Sequence, residues 1–127
     1  MRKWAFAIAA VLFTGTAFAD YPIVTTADNG KTIVVKVGQC LDVRLASQAA
    51  STGYQWYLAP GLNEAMSLAA RTVTTPGDAP PGAPVQLDFI LCAAAPADVA
   101  VVFLKYRPWE KNVLPAETLR VMAKITP

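Results

Sequence analysis

The amino-acid sequence predicts an all-β fold, an immunoglobulin-like β-sandwich of about seven strands. Three observations favour this class. Apolar and polar residues alternate along several short stretches, turn signals separate these stretches roughly every 8–12 residues, and no long amphipathic helix is convincing. The chain of 127 residues is long enough for one such domain with a single modest core.

The N-terminus has the features of an export signal. Basic residues at positions 2 and 3 precede an apolar stretch over residues 4–13, and Ala17-Phe18-Ala19 matches a small-residue cleavage site. A transmembrane anchor is the alternative, but the apolar stretch is too short to span a bilayer. We therefore expect a signal peptide at residues 1–19, a mature domain at residues 20–127, and a periplasmic or secreted location.

Composition restricts the chemistry that the protein can perform. The chain has 11 basic and 9 acidic residues, and loss of the two basic residues of the signal leaves a mature domain with no formal net charge. Such a domain is not typical of proteins that bind nucleic acid or anionic membranes. The absence of histidine excludes His-dependent triads and most zinc sites, and Asp42, Asp88 and Glu110 have no paired spacing for acid–base catalysis. We expect no catalytic residues, no metal and no cofactor.

Seven segments have strand character after a leader that ends in the turn signal Asp28-Asn29-Gly30. They are residues 31–37, 40–46, 54–58, 71–74, 85–92, 99–106 and 117–125. Residues 62–70 fit a helical turn or a strand equally well. Segment 99–106 is almost continuously apolar, which predicts a strand that is covered, or nearly covered, on both faces.

Two cysteines, Cys40 and Cys92, occur in this exported chain, and an oxidising compartment favours a disulfide between them. Leu41, Val43 and Leu45 form the apolar face of the second predicted strand, so Cys40 lies on its outward face. Cys92 has the same outward parity on the fifth predicted strand. These two strands are neighbours in immunoglobulin order, so the pattern predicts a cross-strand Cys40–Cys92 disulfide on the outer surface.

Three loops adjoin the predicted strands. Ser51-Thr52-Gly53 leads into the third strand, a loop with four prolines spans residues 75–84, and Arg107-Pro108-Trp109 follows the sixth strand. Gly53 can adopt a positive φ, and the hydroxyls of Ser51 and Thr52 can bond nearby backbone groups. Because connections of this kind emerge at the same end of an immunoglobulin-like sandwich, we expect the three loops to form one binding edge.

The aromatic residues near these loops have different expected roles. Trp56, at the centre of a strand, is predicted to be a core residue, and Tyr54 is predicted to be core or loop support. Arg107-Pro108-Trp109 could be no more than a strand end with a capping aromatic. Trp109 precedes the polar stretch 110–112, however, and an exposed tryptophan there indicates a surface that a partner covers.

The loop motifs resemble those of the chagasin-type inhibitors of papain-like cysteine peptidases. That family has, in order, Asn-Pro-Thr-Thr-Gly-(Tyr/Phe), Gly-x-Gly-Gly and Arg-Pro-(Trp/Phe). The corresponding segments here are Ala49-Ala50-Ser51-Thr52-Gly53-Tyr54, Gly82-Ala83-Pro84-Val85 and Arg107-Pro108-Trp109, of which only the last is intact. The resemblance extends over the whole mature domain in order and spacing.

The resemblance implies an inhibitor that blocks the cleft of a papain-like cysteine peptidase with a wedge of three loops. The implied peptidase-binding residues are Ser51, Thr52, Gly53, Tyr54, Gly82, Ala83, Pro84, Arg107, Pro108 and Trp109. The Thr52 loop would enter the cleft over the catalytic Cys–His pair of the enzyme, and Trp109 would lie on apolar surface beside it. Arg107 would brace the loops or bond the enzyme. The expected protein is a monomer that binds neither nucleic acid nor, after signal cleavage, a membrane.

Two departures from the family motifs predict changes in binding rather than in fold. Ala49-Ala50 in place of Asn-Pro removes a turn-forming pair, which predicts a less preorganised loop tip. Pro84 in place of glycine removes flexibility and a backbone N–H donor. The rival functions are an immunoglobulin-like protein-binding module without inhibitory activity and a carbohydrate-binding sandwich that uses Trp109 as a stacking platform.

Overall fold

The computed structural model describes residues 21–127, and the predicted signal peptide lies outside the described residues. The described chain is a sandwich of two four-stranded sheets. The strands are β1 Ile23–Val24, β2 Thr32–Lys36, β3 Cys40–Ser47, β4 Gln55–Leu58, β5 Met66–Thr74, β6 Val85–Ala93, β7 Ala97–Tyr106 and β8 Glu117–Thr126; a 3₁₀ turn covers Thr26–Asp28 and one helical turn, α1, covers Ala49–Thr52. None of the helices within residues 21–127 has the length and apolar character needed to cross a membrane.

The predicted all-β sandwich is confirmed, with eight strands in place of about seven. The first sheet has the order β1-β3-β6-β5 and the second the order β2-β8-β7-β4. The strand that the sequence missed is β1, which has two residues and pairs in parallel with β3. A two-residue strand is too short to show an alternating pattern, so the leader gave no signal for it.

Alternating side chains from both sheets form the core. Leu41, Val43 and Leu45 of β3 are almost completely buried, as the sequence predicted. They face the second sheet, and the rings of Phe89 and Phe103 meet across the interface with centroids 4.8 Å apart and a tilted geometry. This interdigitated core fixes the strand ends from which the functional loops emerge.

Segment 62–70, for which the sequence left a helical turn or a strand open, is a strand from Met66 onward and a loop before it. β5 begins at Met66 and continues through the predicted segment 71–74, with a bulge between Leu68 and Ala70. The bulge shifts the register by one residue and therefore interrupts the alternation that a sequence pattern can show. β7 is covered less than the sequence suggested, because Val99, Val101 and Phe103 are buried whereas the residues between them are half-buried.

The Cys40–Cys92 disulfide is confirmed. The two residues are directly paired across β3 and β6, with Cα atoms 3.9 Å apart, and no free cysteine occurs between residues 21 and 127. The bridge is more covered than an outer-surface position implies, because Cys40 is only 8% exposed. β3 is an inner strand with neighbours on both sides, so residues on its outward face also lose solvent contact.

Candidate functional site

Three loops lie together at one end of the sandwich, as the sequence predicted. Loop 1 is residues 48–54, loop 2 is residues 75–84 and loop 3 is residues 107–116. Ser47, which ends β3, pairs with Val85, which begins β6, and Gln55, which begins β4, pairs with Tyr106, which ends β7. These paired strand ends therefore lie at the same end of the sandwich. Loop 1 connects β3 of the first sheet to β4 of the second sheet at this end.

Loop 1 is a helical turn closed by a glycine. The N–H groups of Ser51 and Thr52 both donate to the carbonyl of Gln48, at 3.0 and 2.9 Å, and the Gly53 N–H donates to Ala49 O at 2.9 Å. Gly53 has φ +79°, the left-handed conformation that ends helices and that glycine adopts without strain. The positive φ expected at Gly53 is thus confirmed. The loop is held by its own backbone although Ala49 stands where the family motif has asparagine.

The two hydroxyls of loop 1 form hydrogen bonds to backbone groups of the protein itself. Thr52 Oγ1 donates to Gln48 O at 2.9 Å and accepts from the Tyr54 N–H at 3.2 Å. Ser51 Oγ lies 3.2 Å from Gln48 O and 3.4 Å from the carbonyl oxygen of Gly82. Ser51 therefore connects loop 1 to loop 2, and Thr52 stabilises the turn itself.

Arg107 connects loop 3 to loop 1. Its Nε donates to the carbonyl of Thr52 at 2.9 Å, and its guanidinium lies over the ring of Tyr54, 4.2 Å from the centroid. Nη1 is 3.8 Å from a carboxylate oxygen of Glu110. A hydrogen bond from a charged donor contributes about 1.5–3 kcal/mol, and a cation–π contact adds roughly 0.5–1 kcal/mol. Of the two roles that the resemblance implied for Arg107, the described contacts show the brace, and Tyr54 is its half-buried support.

Trp109 is 64% exposed, and the covered part of its ring lies against the backbone of Gly53. A Cβ atom placed on Gly53 would overlap the ring at Cη2 and would stand 3.0 Å from Cζ2. Only glycine leaves room for this approach. Trp56, in contrast, is buried, and its Nε1 donates to Ala46 O at 3.0 Å, so its predicted core role is confirmed.

Loop 2 consists of two consecutive tight turns. The Ala79 N–H donates to Pro76 O at 3.3 Å, and the Ala83 N–H donates to Pro80 O at 3.1 Å. Gly82 has φ +82°, and its α-carbon faces Ser51 of loop 1. Ala83 is half-buried, whereas Pro84 is exposed at the base of the loop.

The structure thus brings the three loops that contain all ten residues implied as peptidase-binding to one end of the sandwich. Sequence reasoning missed the carbonyl of Gln48, which accepts from the N–H groups of Ser51 and Thr52 and from the Thr52 hydroxyl. A backbone acceptor leaves no side-chain signal. It also missed Glu110, whose spacing of three residues from Arg107 could have indicated the ion pair. No group of three or more metal-ligating side chains is present in residues 21–127.

Solved structures with the same fold include a cysteine protease inhibitor. The cysteine protease inhibitor EhICP2 from Entamoeba histolytica superposes with a TM-score of 0.74 at 22% identity, over 84% of this chain and 96% of that one. Amebosin superposes with a TM-score of 0.68 at 19% identity, over 85% of this chain and 100% of that one. PbICP-C, solved in complex with falcipain-2, superposes with a TM-score of 0.59 at 20% identity, over 84% of this chain and 91% of that one. At these identities the similarity establishes the fold.

No curated protein matches the sequence. A family model described as chagasin family peptidase inhibitor I42 matches residues 34–122, which is more than half of the chain and includes all three loops. The chain therefore belongs to the chagasin family of peptidase inhibitors.

Proposed function

We propose that this protein inhibits papain-like cysteine peptidases by inserting the edge formed by loops 1, 2 and 3 into the active-site cleft. The observation that carries the proposal is the set of direct contacts that join the three motif-bearing loops into one edge. Family membership supplies the inhibitory activity, and PbICP-C in complex with falcipain-2 supports a cysteine peptidase as the target. Membership of an inhibitor family also confirms that the protein is not an enzyme.

The first step of the proposed mechanism is presentation of a preformed surface. Binding is weakened by the entropy lost when loops become ordered, and loops that are already ordered avoid that loss. Here Arg107 holds loop 3 to loop 1 and Ser51 holds loop 1 to loop 2. The four prolines of loop 2 restrict its backbone further. The edge can thus dock as a unit.

Loop 1 is the tip that would lie over the catalytic Cys–His pair of the enzyme. Its peptide groups are coiled into a helical turn, with the Gly53 N–H bonded to Ala49 O and the Thr52 carbonyl bonded to Arg107. Nucleophilic attack requires a carbonyl that is aligned with the nucleophile and free to be polarised. The carbonyls of Gln48, Ala49 and Thr52 are already hydrogen-bonded within the protein, and the coiled turn fixes their orientation, so none of these three is free to align with the nucleophile and we expect the tip to occupy the cleft without being cleaved.

Loops 2 and 3 would contact the cleft on either side of the tip. Trp109 presents most of its ring to solvent, and tryptophan and arginine are the residue types that most often dominate interface energies. Loop 2 offers proline side chains and few N–H donors, so its contact would be apolar rather than a backbone ladder. Loss of the second family motif therefore changes how this flank binds.

The proposal includes export to a periplasmic or secreted location, with residues 1–19 as the signal peptide and the domain acting as a monomer. The disulfide supports it, because structural disulfides persist in oxidising compartments. Expression of the full chain in a bacterial host, followed by fractionation and N-terminal sequencing, tests this part. A new N-terminus at position 20 in the periplasmic fraction is expected.

Titration of the purified protein against papain and a cathepsin tests the inhibitory function. Stoichiometric, reversible loss of hydrolysis is expected, without cleavage of the inhibitor. Absence of inhibition, with the protein folded and its disulfide formed, would favour the non-inhibitory binding module. Binding to oligosaccharides that Trp109→Ala abolishes would instead favour the carbohydrate-binding function.

A further inference from the structure

The most exposed large hydrophobic residues in the described part of the chain all lie in loop 3. Leu114 is 87% exposed, Trp109 64% and Val113 59%, whereas the remaining exposed hydrophobics are distributed over several strands and the N-terminal segment. Only Trp109 belongs to a family motif. Isolated exposed hydrophobics are common on protein surfaces, but two adjacent ones in the same loop as an exposed tryptophan indicate a contact surface.

The backbone of loop 3 is shaped to present Val113 and Leu114. Asn112 has φ +59°, the only non-glycine residue with positive φ in residues 21–127, and asparagine tolerates this conformation better than most residues. Pro115 restricts Leu114 to extended conformations. The Ala116 N–H then donates to the carbonyl of Lys105 at 2.8 Å, which closes the loop onto β7. The apolar pair is thus held between a fixed turn and a fixed base.

We infer that Val113 and Leu114 form a second apolar contact of the inhibitory edge, one that selects peptidases with an apolar surface bordering the cleft. This inference rests on the proposed function. Five residues of extended chain span at most about 17 Å, so Trp109 and Leu114 fit within one interface of standard size, roughly 800 Å² on each partner. Trp109 would bind at the cleft, and the pair would bind the adjoining enzyme surface.

The surroundings of the pair match the rim of an interface. Glu110 and Lys111, which separate Trp109 from the pair, are charged residues of opposite sign, and Glu110 is held by Arg107. Interfaces commonly surround an apolar contact with a polar rim that excludes water. Leu114, at 87% exposure, has almost no packing role within the described domain, and Val113, at 59%, keeps more than half of its surface in solvent. Removing it should therefore affect the partner contact and leave the fold unchanged.

The test compares the double substitution Val113→Ser with Leu114→Ser against the single substitution Val34→Ser. Val34 is 58% exposed, almost the same as Val113, but lies on β2, away from the loops. Inhibition constants are measured for the full-length protein as exported, against papain and a cathepsin, together with thermal unfolding. We expect the double substitution to raise the inhibition constant about tenfold or more for the enzyme that wild type binds more tightly. Val34→Ser and the conservative Leu114→Met should change it less than twofold.

Two results would overturn the inference in a wild type that inhibits at least one enzyme. In the first, the wild type inhibits both enzymes and the double variant has the same inhibition constants as the wild type. The proposed function then stands, and only the second contact is refuted. In the second, the wild type sediments as a dimer, which the double substitution dissociates without raising either inhibition constant, because the pair would then bind a second copy. A wild type that inhibits neither enzyme overturns the proposed function and this inference with it.

Discussion

Replacement of Gly53 by alanine should reduce inhibition because it displaces Trp109 from loop 1. Gly53 has φ +79°, and an alanine in the left-handed region costs roughly 1–2 kcal/mol. The added Cβ would also overlap the ring of Trp109, which must then move away from loop 1. If displacement removes the contact of Trp109 with the enzyme, the loss is about 2 kcal/mol or more of binding, which is roughly a thirtyfold rise in the inhibition constant.

Gly38→Ala is the matched control for this substitution. Gly38 has φ +89°, so alanine there suffers a similar backbone strain, but no atom lies within 4 Å of its Cβ position. It lies in the turn before β3, at the end of the sandwich opposite to the loops. Gly38→Ala should lose about 1–2 kcal/mol in urea unfolding from backbone strain alone, Gly53→Ala should lose that and the packing of the displaced Trp109 ring, and only Gly53→Ala should lose affinity. An equal loss of affinity in both variants, or an unchanged inhibition constant for Gly53→Ala, would refute the coupling between Gly53 and Trp109.

Four further variants have distinct expected outcomes. Trp109→Ala should raise the inhibition constant about thirtyfold in a titration against papain; because about a third of its surface is covered, the free energy of unfolding should fall by at most about 2 kcal/mol. Thr52→Ala should weaken inhibition less than Trp109→Ala, since the hydroxyl only supports the turn, whereas Thr52→Trp should abolish it because the side chain blocks access to the cleft. Cys40→Ser combined with Cys92→Ser opens a loop with a sequence separation of 52 and should lower the unfolding free energy by about 2–4 kcal/mol in urea titration, with unchanged inhibition below the transition.

The sandwich could be predicted from sequence wherever burial follows a period of two. The alternation of Leu41, Val43 and Leu45 fixed the inward face of β3, and the same parity placed Cys40 opposite Cys92. Such patterns reflect a strand that has one face in the core, and each residue along it reports the same preference. β5 gave no clear pattern because it is an exposed edge strand with a bulge, so its side chains were under no such constraint.

The loop residues could be identified from their motifs, but their contacts could not. The bond from Arg107 to Thr52 joins residues 55 positions apart and ends on a backbone carbonyl. The bond from Ser51 to Gly82 is of the same kind. Every residue has a carbonyl, so nothing in the sequence distinguishes the acceptors. The exposure of Leu114 is likewise a property of the folded loop, since an apolar residue three positions before a strand can equally well pack inward.

The same acceptors explain how loop 1 retains its shape without the Asn-Pro pair of the family motif. The turn depends on the carbonyls of Gln48, Ala49 and Thr52, which are backbone groups that any side chain at those positions provides. The side chains that cannot be exchanged are few: glycine at position 53 for its positive φ and close approach to the tryptophan, and an arginine that reaches across from loop 3. Loss of the asparagine and proline should therefore affect direct contacts with the enzyme more than the conformation of the tip. Selection of the target peptidase would then depend on loop 2 and on the exposed pair in loop 3, while the tip itself stays the same.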